Sequence, residues 1–312
     1  MSSIKDSVTV NEDDANLLVL IIDTNQMNWT KVANKQAMGN CLTLQQILRQ
    51  LLAFINAHLA LKHDNEVAVI ASHIGVSKFL YPIPTTRQKT RRSHGDSDQS
   101  SNSNMYQRFR VIDDQVTSNM KALFENEALK SCPDKVSSMM AGALSLALCY
   151  INRITKSDEI GHIKSRILII SVSPDSPYQY ISIMNCIFSA QKLGIPIDVC
   201  KISESDNSVF LQQASHITGG RYLRLSIDQS RGFLHFLMKT FLPDRFVRRH
   251  LCLPGDEKVD FGAACFCHKK TINIGYVCSV CLSIYCQQLE ECSTCRSKVT
   301  NGVKRSKTNE SL

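Results

Sequence analysis

Residues 17–24 read LLVLIIDT, six aliphatic side chains in a row closed by an acid and a hydroxyl. A strand with one face in water alternates apolar and polar residues, so an unbroken run belongs to a strand covered on both faces, as in a parallel sheet. Similar runs recur as EVAVIASH at 66–73, SRILIISVSPD at 165–175 and IPIDVCKI at 195–202, with a shorter RYLRL at 221–225. Helical periodicity lies between them. Leu44, Ile47, Leu48, Leu51, Leu52, Ile55 and Leu59 share one face behind a Thr43 cap, and further helices are expected at 111–130, 136–155, 178–193, 207–217 and 229–241. Strand and helix in alternation, joined by right-handed crossovers, give an α/β fold with a doubly wound, mostly parallel sheet and helices on both faces. SKFLYP at 77–82 follows its predecessor after only Ile74, Gly75 and Val76, a link too short for a parallel return, so one edge is expected to be antiparallel.

The segment between the first strand and the first helix, NQMNWTKVANKQAMGNC, reads as a polar connection carrying Trp29, the chain's single tryptophan. His58 and His63, near the end of the first helix, read as surface or dipole-compensating residues rather than ligands. Residues 83–107 lose apolar periodicity in a basic and then Ser-, Asp- and Asn-rich run, and are expected to form a disordered insertion. The organisation expected is therefore a flexible N-terminus at 1–14, an α/β domain at 15–243, a linker at 244–263, a cysteine-rich domain at 264–297 and a basic flexible tail at 298–312. A hydrophobic content of 43% can fill such a core, and a net charge of +8 favours anionic neighbours without approaching a polyelectrolyte. The polar, acidic first 16 residues do not read as a secretory signal, and no run reaches 18 apolar residues, so an intracellular, reducing setting is expected.

In such a setting clustered cysteines read as metal ligands. Seven of the 13 cysteines fall between Cys265 and Cys295. Two CxxC turns, Cys278 with Cys281 and Cys292 with Cys295, supply the four sulfurs of a closed, structural zinc site. Cys265, Cys267 and Cys286, with His268 as fourth ligand, are candidates for a second zinc interleaved with the first; the alternative is that this trio are ordinary buried cysteines. One zinc is expected, two if the second set closes.

At the carboxyl end of the first strand, Asp23, Thr24 and Asn25 stand where open parallel sheets bind ligands, although an Asp there also serves simply to organise a turn. Phosphate-binding glycines are missing: the turn reads DTNQMNW, and neither GxGxxG nor GxxxxGK occurs. The strand order, the hairpin edge and the acid at the first strand's tip instead resemble a von Willebrand factor A domain, whose metal-binding form carries DxSxS followed by a Thr and a second Asp. Asp23 matches, but Asn25 and Met27 replace the two serines, Ser138 stands for the Thr, and Val172 and Ser173 occupy the place of the last acid. Met27 offers a hard cation only a thioether. The resemblance thus implies a degenerate cation site at Asp23, Asn25 and Ser138, without magnesium.

A degenerate A domain followed by CFCHKKTINIGYVCSVCLSIYC and CSTC closely resembles the smaller A-domain subunits of the general transcription and DNA-repair factor TFIIH, over nearly the whole chain. That resemblance implies a nuclear, non-catalytic core subunit acting in RNA polymerase II transcription initiation and nucleotide excision repair. It would pair with the larger A-domain subunit and its cysteine-rich domain, with no membrane, no small-molecule substrate and at most indirect contact with DNA. Trp29 is a candidate partner-binding anchor on such a surface, or equally a core residue of this chain. Two readings compete: a RING-like ubiquitin ligase, and direct DNA binding through the basic insertion, Arg248, Arg249 and the tail.

Overall fold

The structure, a computed structural model, describes residues 15–35, 43–83, 105–128, 137–156, 163–203, 208–226, 232–244, 246–253, 263–268, 271–272 and 274–298. The expected flexible N-terminus lies outside the described residues, as do 84–104 of the expected insertion, 254–262 of the linker and 299–312 of the tail.

The elements run β1 (Asn16–Asp23), α1 (Gln26–Lys35), α2 (Leu44–Leu61), β2 (Glu66–Ser72), β3 (Ser77–Tyr81), α3 (Met105–Ala128), α4 (Met140–Thr155), β4 (Lys164–Ser171), α5 (Tyr180–Lys192), β5 (Ile197–Ile202), α6 (Val209–Thr218), β6 (Tyr222–Leu225) and α7 (Phe233–Thr240). They build a six-stranded sheet in the order β3-β2-β1-β4-β5-β6, parallel throughout except for β3. This is the mostly parallel, doubly wound, von Willebrand factor A-like architecture. Successive side chains of β1 enter opposite layers. Leu18, Leu20 and Ile22 pack with α1, α2, α3 and α7, while Leu17, Val19 and Ile21 pack with α4, α5 and α6. All six are fully buried, which is why the run contains no polar residue. The path from β1 to β2 runs through one layer and that from β4 to β5 through the other, so the order reverses between β1 and β4 and opens a crevice at their carboxyl ends.

Local chemistry fixes several boundaries. Thr43 and Gln46 form a reciprocal capping box on α2. Gly75 takes φ +69° in the β2–β3 turn. In α4, Ala143 and Ala147 are fully buried, and a side chain at Gly142 would come within 2.8 Å of Ser77 Oγ, so this small-residue face lies directly on the sheet.

Several expectations are corrected. The polar connection after β1 is in part a helix, α1. Tyr106 and Gln107, placed in the insertion by sequence, belong to α3, which begins at Met105 rather than 111. Helix α4 begins at Met140 rather than 136, because Ser138 bridges Ile74 in extended conformation. His58 is 1% exposed rather than on the surface, and burial pulls its pKa down to about 3, so it carries no charge to compensate the helix dipole. His63 is exposed.

The amino-terminal edge of the sheet ties down the chain beyond α7. Arg166 of β4 donates to the carbonyls of Phe241, Leu242 and Pro243. Arg248 makes a bidentate pair with Asp198 of β5, at 2.8 and 2.6 Å, with only 10% and 1% of the two side chains exposed. A guanidinium committed in this way is not free for phosphate, which removes Arg248 from the DNA-binding reading; Arg249 remains exposed.

The cysteine-rich segment contains two short antiparallel pairs, β7 (Ala263–Ala264) with β8 (Thr271–Ile272) and β9 (Tyr276–Val277) with β10 (Ile284–Tyr285). Its buried cluster consists of Cys278, Tyr285 and Cys292 alone among the described residues. So little apolar burial does little to offset the ordering of some thirty residues, the circumstance in which small domains draw on metal ligands for stability.

Candidate metal centres and the sheet crevice

The crevice is built by hydrogen bonds that end on Asp23, which is fully buried. Its Oδ2 accepts from the backbone N–H groups of Val172 at 3.2 Å and Ser173 at 2.8 Å, and its Oδ1 accepts from Asn25 N–H at 3.2 Å. Asn25 is the cap of α1: its side-chain oxygen accepts from Met27 N–H at 3.1 Å, and its carbonyl accepts from Asn28 and Trp29. Ser138 turns to β2, donating to the Ser72 carbonyl at 3.0 Å with the two hydroxyl oxygens 2.6 Å apart. The three residues suggested as remnants of a cation site thus spend their polar atoms on three different local tasks, and Met27 is 57% exposed. Asp23 organises the turn and holds the β4 loop against β1.

Trp29 is 3% exposed and packs in the layer of α1 and α2, its indole N–H donating to the Asp23 carbonyl at 2.7 Å. It belongs to this chain's own core and offers no face as a partner anchor. Motif reading passes over two further polar residues in the crevice, Lys201 and Asp175. Lys201, 1% exposed, donates to the Ser173 carbonyl at 2.5 Å. Asp175 accepts from Ser208 Oγ and, at 2.9 Å, from Phe210 N–H, thereby capping α6 from outside. Burial raises the Asp175 pKa, against the hydrogen bonds from Ser208 and Phe210 and the nearby Lys201 charge.

The chain's clustered thiols gather into two sets, each with all its ligand atoms within 4.8 Å of one another: Cys278, Cys281, Cys292 and Cys295, and Cys265, Cys267, His268 and Cys286. The first and third ligand groups along the chain meet in one set, the second and fourth in the other, so the sets interleave. Tetrahedral zinc with bonds of about 2.3 Å to sulfur requires sulfurs about 3.8 Å apart. In the first set Cys278 and Cys295 are 3.7 Å apart and Cys281 and Cys292 3.5 Å. In the second, Cys267 lies 3.5 Å from Cys286, and His268 Nδ1 lies 3.2 and 3.3 Å from these two sulfurs. Cys265 and Cys267 are closer, at 2.6 Å, yet beyond bonding distance, and all seven thiols are free. Soft donors in closed sets of four fit a tetrahedral metal and leave no position for a substrate.

Both CxxC turns have one design. Their sequences, CSVCLS and CSTCRS, follow a shared CSxCxS pattern. The N–H of Leu282 donates to the Cys278 carbonyl and that of Arg296 to the Cys292 carbonyl, and each first cysteine donates back to the carbonyl of the closing serine, Ser283 or Ser297. Closing these loops puts Leu282 at φ 59° and Arg296 at φ 58°, left-handed conformations that favour glycine. The serine hydroxyls then reach the sulfurs, Ser283 to Cys281 at 3.0 Å and Ser297 to Cys295 at 3.0 Å, while Tyr285 Oη lies 3.2 Å from Cys292. The Cys278 thiol is pulled down to about 6 by Ser297 and by the N–H groups of Cys281 and Val280. Burial works to raise Cys265, but the Cys267 thiol and surrounding N–H groups bring it to about 6. Burial raises Cys281 to about 11, and the neighbouring thiols raise Cys286 to about 11. Burial also works to raise Cys292, but the Tyr285 hydroxyl and nearby N–H groups outweigh it and bring the thiol down. Each set therefore holds thiols pulled in opposite directions, a difference that a bound cation would override.

Residues 15–296 match the family of Transcription factor Tfb4. The general transcription and DNA repair factor IIH subunit tfb4 of Schizosaccharomyces pombe is 44% identical over 290 residues, covering 92% of this chain and 90% of that protein. The corresponding TFB4 subunit of Arabidopsis thaliana is 40% identical over 289 residues, covering 91% and 89%. Among solved structures, the crystal structure of the TFIIH p34 N-terminal domain superposes with a TM-score of 0.58 at 34% identity, over 73% of this chain and 99% of that one.

Proposed function

Because this chain belongs to the Tfb4 family of transcription factors, we propose that it is a non-catalytic structural subunit of the TFIIH core, acting in RNA polymerase II transcription initiation and nucleotide excision repair in the nucleus. The observation that carries this reading is near full-length identity of 44% to a relative named as a transcription and DNA repair factor IIH subunit. The geometry supports it. The crevice carboxylate Asp23 is spent on backbone donors, and both thiol sets are closed around four ligands. Cys278, Cys281, Cys292 and Cys295 would hold one zinc, and Cys265, Cys267, His268 and Cys286 a second. The metal would supply crosslinking and folding free energy, about 10 kcal/mol or more in zinc-finger peptides, and no chemistry. The partner is the larger A-domain subunit of the complex through its cysteine-rich domain. With Arg248 held by Asp198, contact with DNA is at most indirect, and no observation favours the ubiquitin-ligase reading.

Tagged full-length chain is purified from nuclear extract, with mass spectrometry of its companions and metal analysis. Recovery of the larger A-domain subunit and the helicases with two zincs per chain is expected. A zinc-loaded chain recovered alone, or with ubiquitin-conjugating enzymes, would overturn the scaffold reading.

A further inference from the structure

Phe266 sits between two candidate ligands, Cys265 and Cys267, and its ring leaves the thiol cluster to meet the α/β domain. It stands edge-on to Tyr180, with ring centroids 5.5 Å apart and an interplanar angle of 86°. Tyr180 is the first residue of α5, at the carboxyl edge of the sheet, and it also packs on Phe210, 4.9 Å away and 2% exposed in the core. On the cluster side, Phe266 lies 6.3 Å from Tyr285, whose hydroxyl is 3.2 Å from Cys292 Sγ. An unbroken row of four rings therefore runs from the core under α6, across the carboxyl edge, to the sulfur ligands.

We propose that the cysteine-rich domain docks on the carboxyl edge of its own α/β domain through Phe266, and that metal binding sets this docking. The proposal rests on the assignment of zinc to the second set and goes beyond it in naming what that zinc controls. Phe266 is flanked on both sides by ligands, and its N–H donates to the Ile284 carbonyl at 2.9 Å. With a metal joining Cys265, Cys267, His268 and Cys286, the CxC turn has one conformation and the ring one direction. Without it, the turn is held by that backbone hydrogen bond, the β7–β8 pairing, the contacts among the ligands and the ring contacts. Phe266 meets the edge where open parallel sheets bind ligands, at the carboxyl ends of the strands, so the small domain occupies part of that edge as an internal partner. Coupling of this kind is reciprocal: if metal favours docking, docking must slow the loss of metal. An aromatic pair of this geometry accounts for about a two- to tenfold effect.

The test uses the full-length chain loaded with zinc, with two readouts: hydrogen exchange over residues 180–190, and the rate of zinc transfer to a colorimetric chelator. Stripping the zinc should accelerate exchange over 180–190. Phe266→Ala that still carries two zincs should show the accelerated exchange of the stripped chain. Tyr180→Ala, which alters no ligand, should keep its zinc content but release the second-set zinc about two- to tenfold faster. If Phe266→Ala loses zinc, Tyr180→Ala alone decides. Exchange over 180–190 that is indifferent to zinc, or an unchanged release rate in Tyr180→Ala, would overturn the docking while leaving the zinc sites intact. A wild-type chain that retains no zinc would overturn the metal assignment itself.

Discussion

Replacing Asp23 with alanine separates a turn-organising carboxylate from a cation ligand. The side chain accepts three backbone N–H groups, two from the β4 loop at 3.2 and 2.8 Å and one from Asn25 at 3.2 Å. A hydrogen bond to an ionised acceptor contributes about 1.5–3 kcal/mol, and the two longer ones belong at or below the bottom of that range. With about 2 kcal/mol for the short bond and about 1 for each long one, Asp23→Ala should cost about 4 kcal/mol. That is a large part of the roughly 5–15 kcal/mol that holds a domain of this kind together. In a domain of about 230 residues it corresponds to a drop in Tm of about 8–16 °C. Urea and thermal unfolding followed by circular dichroism, each with and without millimolar magnesium, measure it. If Asp23 is only a clasp, magnesium moves neither protein. A loss under about 1 kcal/mol would refute the hydrogen-bond accounting. A wild-type Tm that rises with magnesium while the variant's does not would show that the carboxylate holds a cation after all. Asp23→Asn keeps the shape but sets an amide N–H against one of the donors, and should fall between the two.

Replacing Cys278 and Cys281 together with serine should remove at least one of the two zincs and unfold the cysteine-rich domain while the urea transition of the α/β domain stays in place; unchanged metal content would refute the ligand assignment. His58 has a folded-state pKa of about 3 against an ordinary 6.5, because burial and then Arg166 disfavour its charge. The unfolded chain therefore takes up a proton below 6.5 that the native state refuses, so this contribution to stability is complete above 6.5 and is lost as the pH falls towards 3. About one unit below the unfolded pKa the loss is about 1.4 kcal/mol, and His58→Leu should flatten the urea midpoint against pH by that amount. A side chain at Gly220 would lie 2.0 Å from the Ile197 carbonyl oxygen, where only backbone could move. Gly220→Ala should therefore destabilise the β5–β6 edge by about 3 kcal/mol in the same unfolding assay.

The strands were legible because burial on both faces forces an unbroken aliphatic run, and β1, β2 and β4 obey it, while β5 interrupts its run with Asp198 and Lys201, whose buried charges find partners in Arg248 and the Ser173 carbonyl. The misread boundaries have tertiary causes. Among its described side chains, helix α1 turns only Trp29 and Val32 into the core, too few residues for a periodic signal, and its start is marked by the Asn25 cap instead. Within SRILIISVSPD the apolar strand stops in a polar turn as expected, and the place of the stop, Ser171, is set by the next two N–H groups, which leave the ladder for Asp23, a partner about 150 residues away in sequence. That partnership favours the turn-organising reading of the two that DTN allowed: sequence shows that an acid stands at the edge, but not that two backbone donors of another loop converge on it.

The thiol sets were legible for a different reason. Metal ligation tolerates few residue types and short spacings, so a CxxC turn announces itself without its surroundings. What spacing cannot convey is the support behind the ligands. In each turn the residue after the second cysteine takes a left-handed conformation that a glycine would adopt freely, yet the chain places Leu282 and Arg296 there. The strain, about 1–2 kcal/mol at each position, is small beside the free energy of a metal joining four ligands. In exchange the chain gains a closed turn, with the N–H of the first cysteine bound to the carbonyl of the closing serine and that serine's hydroxyl against a sulfur. The shared CSxCxS pattern was therefore the signal for the supporting residues, because the serine at its end is fixed by the same turn that brings the two sulfurs together.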